Sequence, residues 1–123
     1  MQKLKFEAAW DKTISPQDRE YIENVFTQNS LVNTNGVEFT FLKEATNHNG
    51  HLLVTMLIHN RSEDDLAIDN AVIEYRRKGQ QIATDTFKLP FVIPPKISMP
   101  WTFIYTRFQQ VDTIPEFIIE ASD

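Results

Sequence analysis

Chemistry in this sequence would have to come from His48, His51 and His59, from scattered serines and from 17 acidic side chains, because cysteine is absent. That absence removes disulfides, thiolate metal ligands and thiol nucleophiles together, and it is compatible with a reducing compartment. His48 and His51 are separated by two residues across a turn-like stretch, whereas His59 lies at the end of an apolar run. Zinc-type ligation by three or four side chains is not offered by this spacing, so the three read as polar histidines, with His59 satisfying a backbone group at a strand end. The run Glu63-Asp64-Asp65 lacks the alternating oxygen ligands, the central Gly and the distal bidentate Glu of a Ca²⁺ loop, and reads as a solvated turn.

The hydroxyl nucleophile candidates are Ser15, Ser30, Ser62, Ser98 and Ser122, and none sits in a Gly-x-Ser-x-Gly elbow. Gly36, Gly50 and Gly79 are isolated at turns, so the chain has neither a phosphate-cradling loop nor a dinucleotide fingerprint, and no cofactor is expected. Arg76-Arg77-Lys78 is the one dense cationic cluster, and its place before Gly79 suits a hairpin tip. Spacing alone selects no glycosidase-like pair among the acids. Phe39, Phe41, Phe87, Phe91, Trp101 and Phe103 suit a core and equally a ligand groove, with packing the favoured assignment.

The elements that must position these residues are legible as short strands. Leu4, Phe6 and Ala8 alternate with Lys5 and Glu7, which predicts a first strand over Leu4–Ala8. Ser15 as N-cap, Pro16 at the first helical position and Asp18 in the first turn predict a helix. Its apolar stripe is Tyr21, Ile22, Val25 and Phe26, and its end is expected near Asn29 or Ser30. After the turn signal Asn33-Thr34-Asn35-Gly36, Val37, Phe39 and Phe41 alternate with Glu38 and Thr40. Asn47-His48-Asn49-Gly50 predicts a hairpin turn into Leu52–Ile58, a run apolar on both faces as in a central strand.

Further strands are expected over Ala71–Tyr75, Ile82–Leu89, Trp101–Tyr105 and Ile114–Ala121, with a turn at Lys78-Gly79. Pro90, Pro94 and Pro95 predict an extended connection without a regular ladder. Six to eight strands with one short N-terminal helix predict a mostly β fold. The expectation is an antiparallel β-sandwich of immunoglobulin or fibronectin type, forming a single domain over residues 1–123. One helix is too few for the crossovers of a parallel βαβ sheet.

A net charge of −5 with dispersed bases offers no face for a phosphate backbone, so nucleic acid is not expected as a partner. No apolar run approaches the roughly 20 residues that span a bilayer, and no signal-peptide pattern opens the sequence. A cytoplasmic location is therefore the expectation.

Several motifs taken together make the chain resemble the SLAP domain of Firmicutes, the module of S-layer assembly proteins linked to the accessory Sec system. They begin with Leu4-Lys5-Phe6 and Trp10-Asp11, similar to the family's opening F-x-x-x-W segment. The apolar strand Leu53–Ile58 then runs into His59-Asn60, and Phe87-Lys88-Leu89 leads through Ile93-Pro94-Pro95 to Ser98-Met99-Pro100-Trp101-Thr102-Phe103. The chain departs from the family pattern at His59 and Met99, where Arg is usual, and at Leu31-Val32, where a Pro is usual.

The resemblance implies a non-enzymatic module peripheral to the export machinery, whose partner is a protein or peptide such as an export component or a secretory precursor. It carries no catalytic residue across. Phe91, Val92 and Ile93 are the candidate partner-binding residues, as apolar side chains in an irregular segment. A homodimer assembled through a sheet edge or the helix is the alternative expectation, and a hydrolase with an unrecognised acidic site the third.

Overall fold

The computed structural model describes residues 1–29, 36–106 and 113–121. The expectations that rest on Ser30, Leu31, Val32, Asn33-Thr34-Asn35 and Ser122 lie outside these residues. Among the described residues the order is β1(Lys3–Leu4), α1(Ala8–Thr13), α2(Pro16–Asn29), β2(Val37–Thr46), β3(Leu52–Asn60), β4(Leu66–Ala67), β5(Ala71–Arg77), β6(Gln80–Phe87), β7(Val92–Ile93), β8(Ile97–Tyr105) and β9(Phe117–Glu120).

The protein is mostly β, as expected, but the pairing is mixed rather than purely antiparallel. One sheet has the order β1-β8-β3-β2 and another the order β6-β5-β9, while β4 and β7 form a separate two-stranded ribbon. Two pairs, β1 with β8 and β5 with β9, run parallel. Periodicity shows which face of a strand is buried and not which neighbour it finds, so this departure has no signature in the pattern.

The helical part is also larger than expected. The predicted strand over Leu4–Ala8 keeps only Leu4, and a separate helix starts at Ala8. Glu7 reaches over as its N-cap, its carboxylate accepting from the Ala9 amide at 2.5 Å. The second helix begins where the sequence places it, with Ser15 Oγ accepting from the Asp18 amide at 3.0 Å.

Strand β3 is apolar on both faces because both are covered. Leu52, Val54, Met56 and Ile58 join Ile73 and Tyr75 of β5, Phe103 and Tyr105 of β8 and Ile119 of β9 in the principal core. Leu57 points the other way and joins Ile22 of α2 and Leu42 of β2 in a second cluster, flanked by Phe6, Trp10, Val25 and Phe26. The helices thus lie on the face of the four-stranded sheet opposite the principal core.

Aromatic rings tie the two larger sheets together. Phe39 meets Phe117 at 5.5 Å between centroids, and Phe87 packs edge-on against both Phe103 and Tyr105 at 5.1 and 5.0 Å. Tyr105 Oη donates to the Ile73 carbonyl at 3.1 Å, and burial holds its phenol well above the usual range.

Turns follow their chemistry. Lys78 and Gly79 both have positive φ, +52° and +77°, as a two-residue type I′ hairpin between β5 and β6 requires. Pro100 was expected to precede a strand, yet it stands inside β8. The Lys3 and Lys5 amides donate to the carbonyls of Lys96 and Ser98 at 2.9 Å. Residues 96, 98 and 100 therefore turn their backbone groups to the β1 side. The N–H that Pro100 lacks faces a position past the end of β1, so no ladder bond is lost.

Candidate functional site

The sequence-predicted partner residues fall on the β4–β7 ribbon, where Leu66 pairs with Ile93 and Ala67 with Val92. Val92 is 48% exposed, Phe91 is half-buried with its ring edge-on to Trp101 at 5.1 Å, and Ile93 is fully buried. The expectation of three exposed apolar side chains is therefore met by Val92 alone. Alternation along a strand explains the split, since neighbouring side chains point to opposite faces.

Beside the ribbon lies a mainly apolar groove of about 240 Å³, with Ala67 and Ile68 on one wall and Leu89, Pro90, Phe91 and Val92 on the other. Asp69 and Lys88, 3.9 Å apart and both exposed, stand at its margin.

Asn60 holds this region to the main sheet. Its Nδ2 donates to the carbonyls of Asp64 at 2.8 Å, Ile93 at 2.9 Å and Pro94 at 3.2 Å, while its Oδ1 accepts from the amide and hydroxyl of Ser62. One buried amide thereby satisfies backbone groups of the acidic loop and of the Pro-rich connection together. This is the physical reason for an Asn at the end of the apolar strand.

Its neighbours form a polar layer on the opposite face. His59 is 1% exposed, with Nδ1 2.7 Å from Ser98 Oγ and Nε2 2.8 Å from Thr40 Oγ1, so one ring nitrogen donates and the other accepts. Burial, together with the Arg61 charge and against the pull of Glu38, lowers its pKa to about 4. The imidazole is neutral at pH 7. Arg61, itself buried, donates to Glu38 Oε1 at 2.8 Å and to the Asn29 carbonyl at the end of α2 at 3.0 Å.

The strand end expected for His59 is observed, but its partners are the Ser98 and Thr40 hydroxyls rather than a backbone group; Ser98 is 39 residues away and is joined by strand register. A serine hydroxyl against an imidazole nitrogen has the outline of a nucleophile and base. Ser98 is 0% exposed, however, and its hydroxyl also accepts from Gln2 Nε2 at 3.0 Å. In this conformation the pair is sealed from an external carbonyl and bridges β3 and β8.

Other acids are similarly engaged. Glu44 of β2 accepts from Tyr75 Oη and from Arg77, each at 2.5 Å. Burial acts to raise its pKa, but the bonds from Arg77 and Tyr75 outweigh it and hold the carboxyl below the usual range. Burial and the same carboxylate push the Tyr75 phenol up to about 12.

A polar groove of about 470 Å³ lies near Gly79 and Ile114, and its one lining carboxylate, Glu74, is bound by Arg76 and Gln81. A third, small apolar pocket between Trp10, Tyr21 and Leu42 has Asp18 alone as its acid. None of these three grooves offers the carboxylate pair that a glycosidase uses. Among the described residues no group of three or more His, Asp or Glu side chains could hold a metal ion, and no helix is long and apolar enough to cross a membrane.

The residues behind the expected resemblance thus have structural roles: Asn60 as a clamp, Phe87 and Phe103 as core rings, Trp101 as the ring on which Phe91 rests. Together they define a mostly β domain whose helices pack on one face of its four-stranded sheet. The model of the SLAP domain matches residues 4–117, nearly the whole chain, and the chain belongs to that family. No curated protein and no solved structure matches it.

Proposed function

We propose that this SLAP domain is a single, non-enzymatic binding module of S-layer assembly that receives a segment of an exported polypeptide or of the accessory Sec machinery on the cytoplasmic side. The observation that carries this reading is the apolar groove beside the β4–β7 ribbon, with Val92 exposed at its rim. Pro90 stiffens one wall, so little backbone freedom is lost when a chain settles there. A short apolar trough along a two-stranded ribbon suits an extended peptide. The immunoglobulin- or fibronectin-like sandwich belongs to the same proposal, resting on two sheets that share one core.

Affinity capture from native cytoplasm with the wild type and Val92→Asp in parallel tests the reading. Val92 is the cleaner position, because changing Phe91 would also disturb Trp101. Secretory precursors or export components are expected with the wild type and are depleted with the variant. Their absence from both samples contradicts the function, and equal recovery in both contradicts the surface.

A further inference from the structure

We propose that the stretch from Lys96 to Ser98, at the start of β8, is a strand-addition site for an extended polypeptide, which residues 2–6 of the chain occupy as a built-in competitor. This deepens the polypeptide-binding reading and rests on it, but it lies away from Val92 and is tested separately.

The site is fully formed by the sheet. The carbonyls of Lys96 and Ser98 accept from the Lys3 and Lys5 amides, and Gln2 Nε2 donates to the Asn60 carbonyl at 3.2 Å and to Ser98 Oγ at 3.0 Å. His59 and Thr40 fix the Ser98 hydroxyl from behind, and Ile97, Ser98 and Asn60 are all buried. Remove the occupant and a row of acceptors loses its donors, which a new strand would restore.

The occupant is held far less firmly than its site. Ile22 is the first fully buried side chain in the chain, so nothing in residues 1–21 reaches complete burial. Strand β1 is two residues long and parallel to its neighbour. Such a segment belongs to the low-stability end of a structure, where local release precedes global unfolding.

The contacts also define the partner. Leu4 and Phe6 pack against the second apolar cluster, whereas Lys3 and Lys5 are exposed. A competing segment would run parallel to β8 and carry a carboxamide, then an aliphatic residue two positions on and an aromatic four positions on. Glu in place of the carboxamide would be rejected, because a carboxylate donates no hydrogen bond and would face the Asn60 carbonyl.

The probe is a fluorescent peptide of residues 1–7, tested against the full chain and against the full-length double variant Gln2→Ala/Leu4→Asp, in which the resident segment is weakened. Anisotropy should show the peptide binding the variant at least about tenfold more tightly than the wild type, whose own segment competes at high effective concentration. The same peptide with Glu for Gln should bind about tenfold or more weakly than the original.

Failure of the peptide to bind a variant that keeps its β circular dichroism overturns the proposal, as does equal binding of a scrambled peptide. If the variant does not fold, the wild type decides by NMR. Excess unlabelled peptide should shift the Lys3 and Lys5 amide resonances, and unchanged spectra overturn the proposal. Because Val92 is untouched, these outcomes are independent of the capture experiment.

Discussion

The two faces of β3 are built by one strand and held by different means. Toward the second sheet, 16 buried residues form one continuous core, tiled by Phe103, Tyr75 and Tyr105. Toward the helices, the apolar side chains fully buried among the described residues are Ile22, Leu42 and Leu57, flanked by half-buried ones such as Trp10 and Phe26, and beside them lies a polar layer: Thr55 bonds Thr102 at 2.8 Å, and His59 bridges Ser98 and Thr40. Apolar burial is strong and indifferent to direction, whereas hydrogen bonds fix register at modest net gain. The first face holds the fold. The second aligns strands and seats an N-terminal layer that is expected to open first.

The largest expected effect should come from the core face. Phe103→Ala removes a ring that touches Phe39 and Phe87 and should cost about 3–5 kcal/mol in urea unfolding. Trp10→Ala on the helical side removes a half-buried ring and should cost no more than about 1–2 kcal/mol. Equal losses would break the comparison.

The polar layer should answer to pH. Folded, His59 stays neutral down to about pH 4, while unfolded it takes up a proton near its ordinary value of 6.5. Between these values the unfolded state binds more protons. Stability is therefore fully present above about pH 6.5, falls as the pH drops toward 4 and levels off below. The His59 share is at most about 3 kcal/mol, and in urea titrations at several pH values it should vanish in His59→Gln.

At the end of the same strand, Asn60→Ala removes the side-chain donor from the buried Ile93 carbonyl and one of two donors from that of Pro94, and should cost about 2 kcal/mol, with raised hydrogen exchange in the ribbon. The smallest effect is expected from Tyr21→Phe. It deletes the bond from Tyr21 Oη to the Leu42 carbonyl, 2.7 Å long on a half-exposed side chain, and should cost about 1 kcal/mol or less by thermal unfolding.

The same contrast governs what could be read in advance. Strands facing the core announce themselves by alternation, as in Val37, Phe39 and Phe41, and a strand covered on both sides by apolar residues on both faces, as in Leu52–Ile58 with Thr55 the one polar residue. The helix at Pro16 is written in its cap. The first helix was hidden because Leu4, Phe6 and Ala8 also satisfy a period of two over so short a span, and Glu7 is not among the favoured caps.

Long-range polar partnerships leave no local trace. His59 with Ser98, Arg61 with Glu38 and Asn60 with Ile93 are decided by strand register, which fixes neighbours that the sequence separates by tens of residues. Of the candidate binding residues, composition could select the Phe91–Ile93 segment. It could not tell that the ribbon turns Ile93 inward and leaves Val92 at the groove.

Native-state hydrogen exchange in increasing sub-denaturing urea tests the division into core and detachable layer most directly. The account predicts that the Lys3 and Lys5 amides exchange through a local opening well below the global unfolding free energy, while the amides that bond β3 to β8 exchange only by global unfolding. If Lys3 and Lys5 instead share the protection and urea dependence of β3, the N-terminal layer is part of one cooperative unit and the account is wrong.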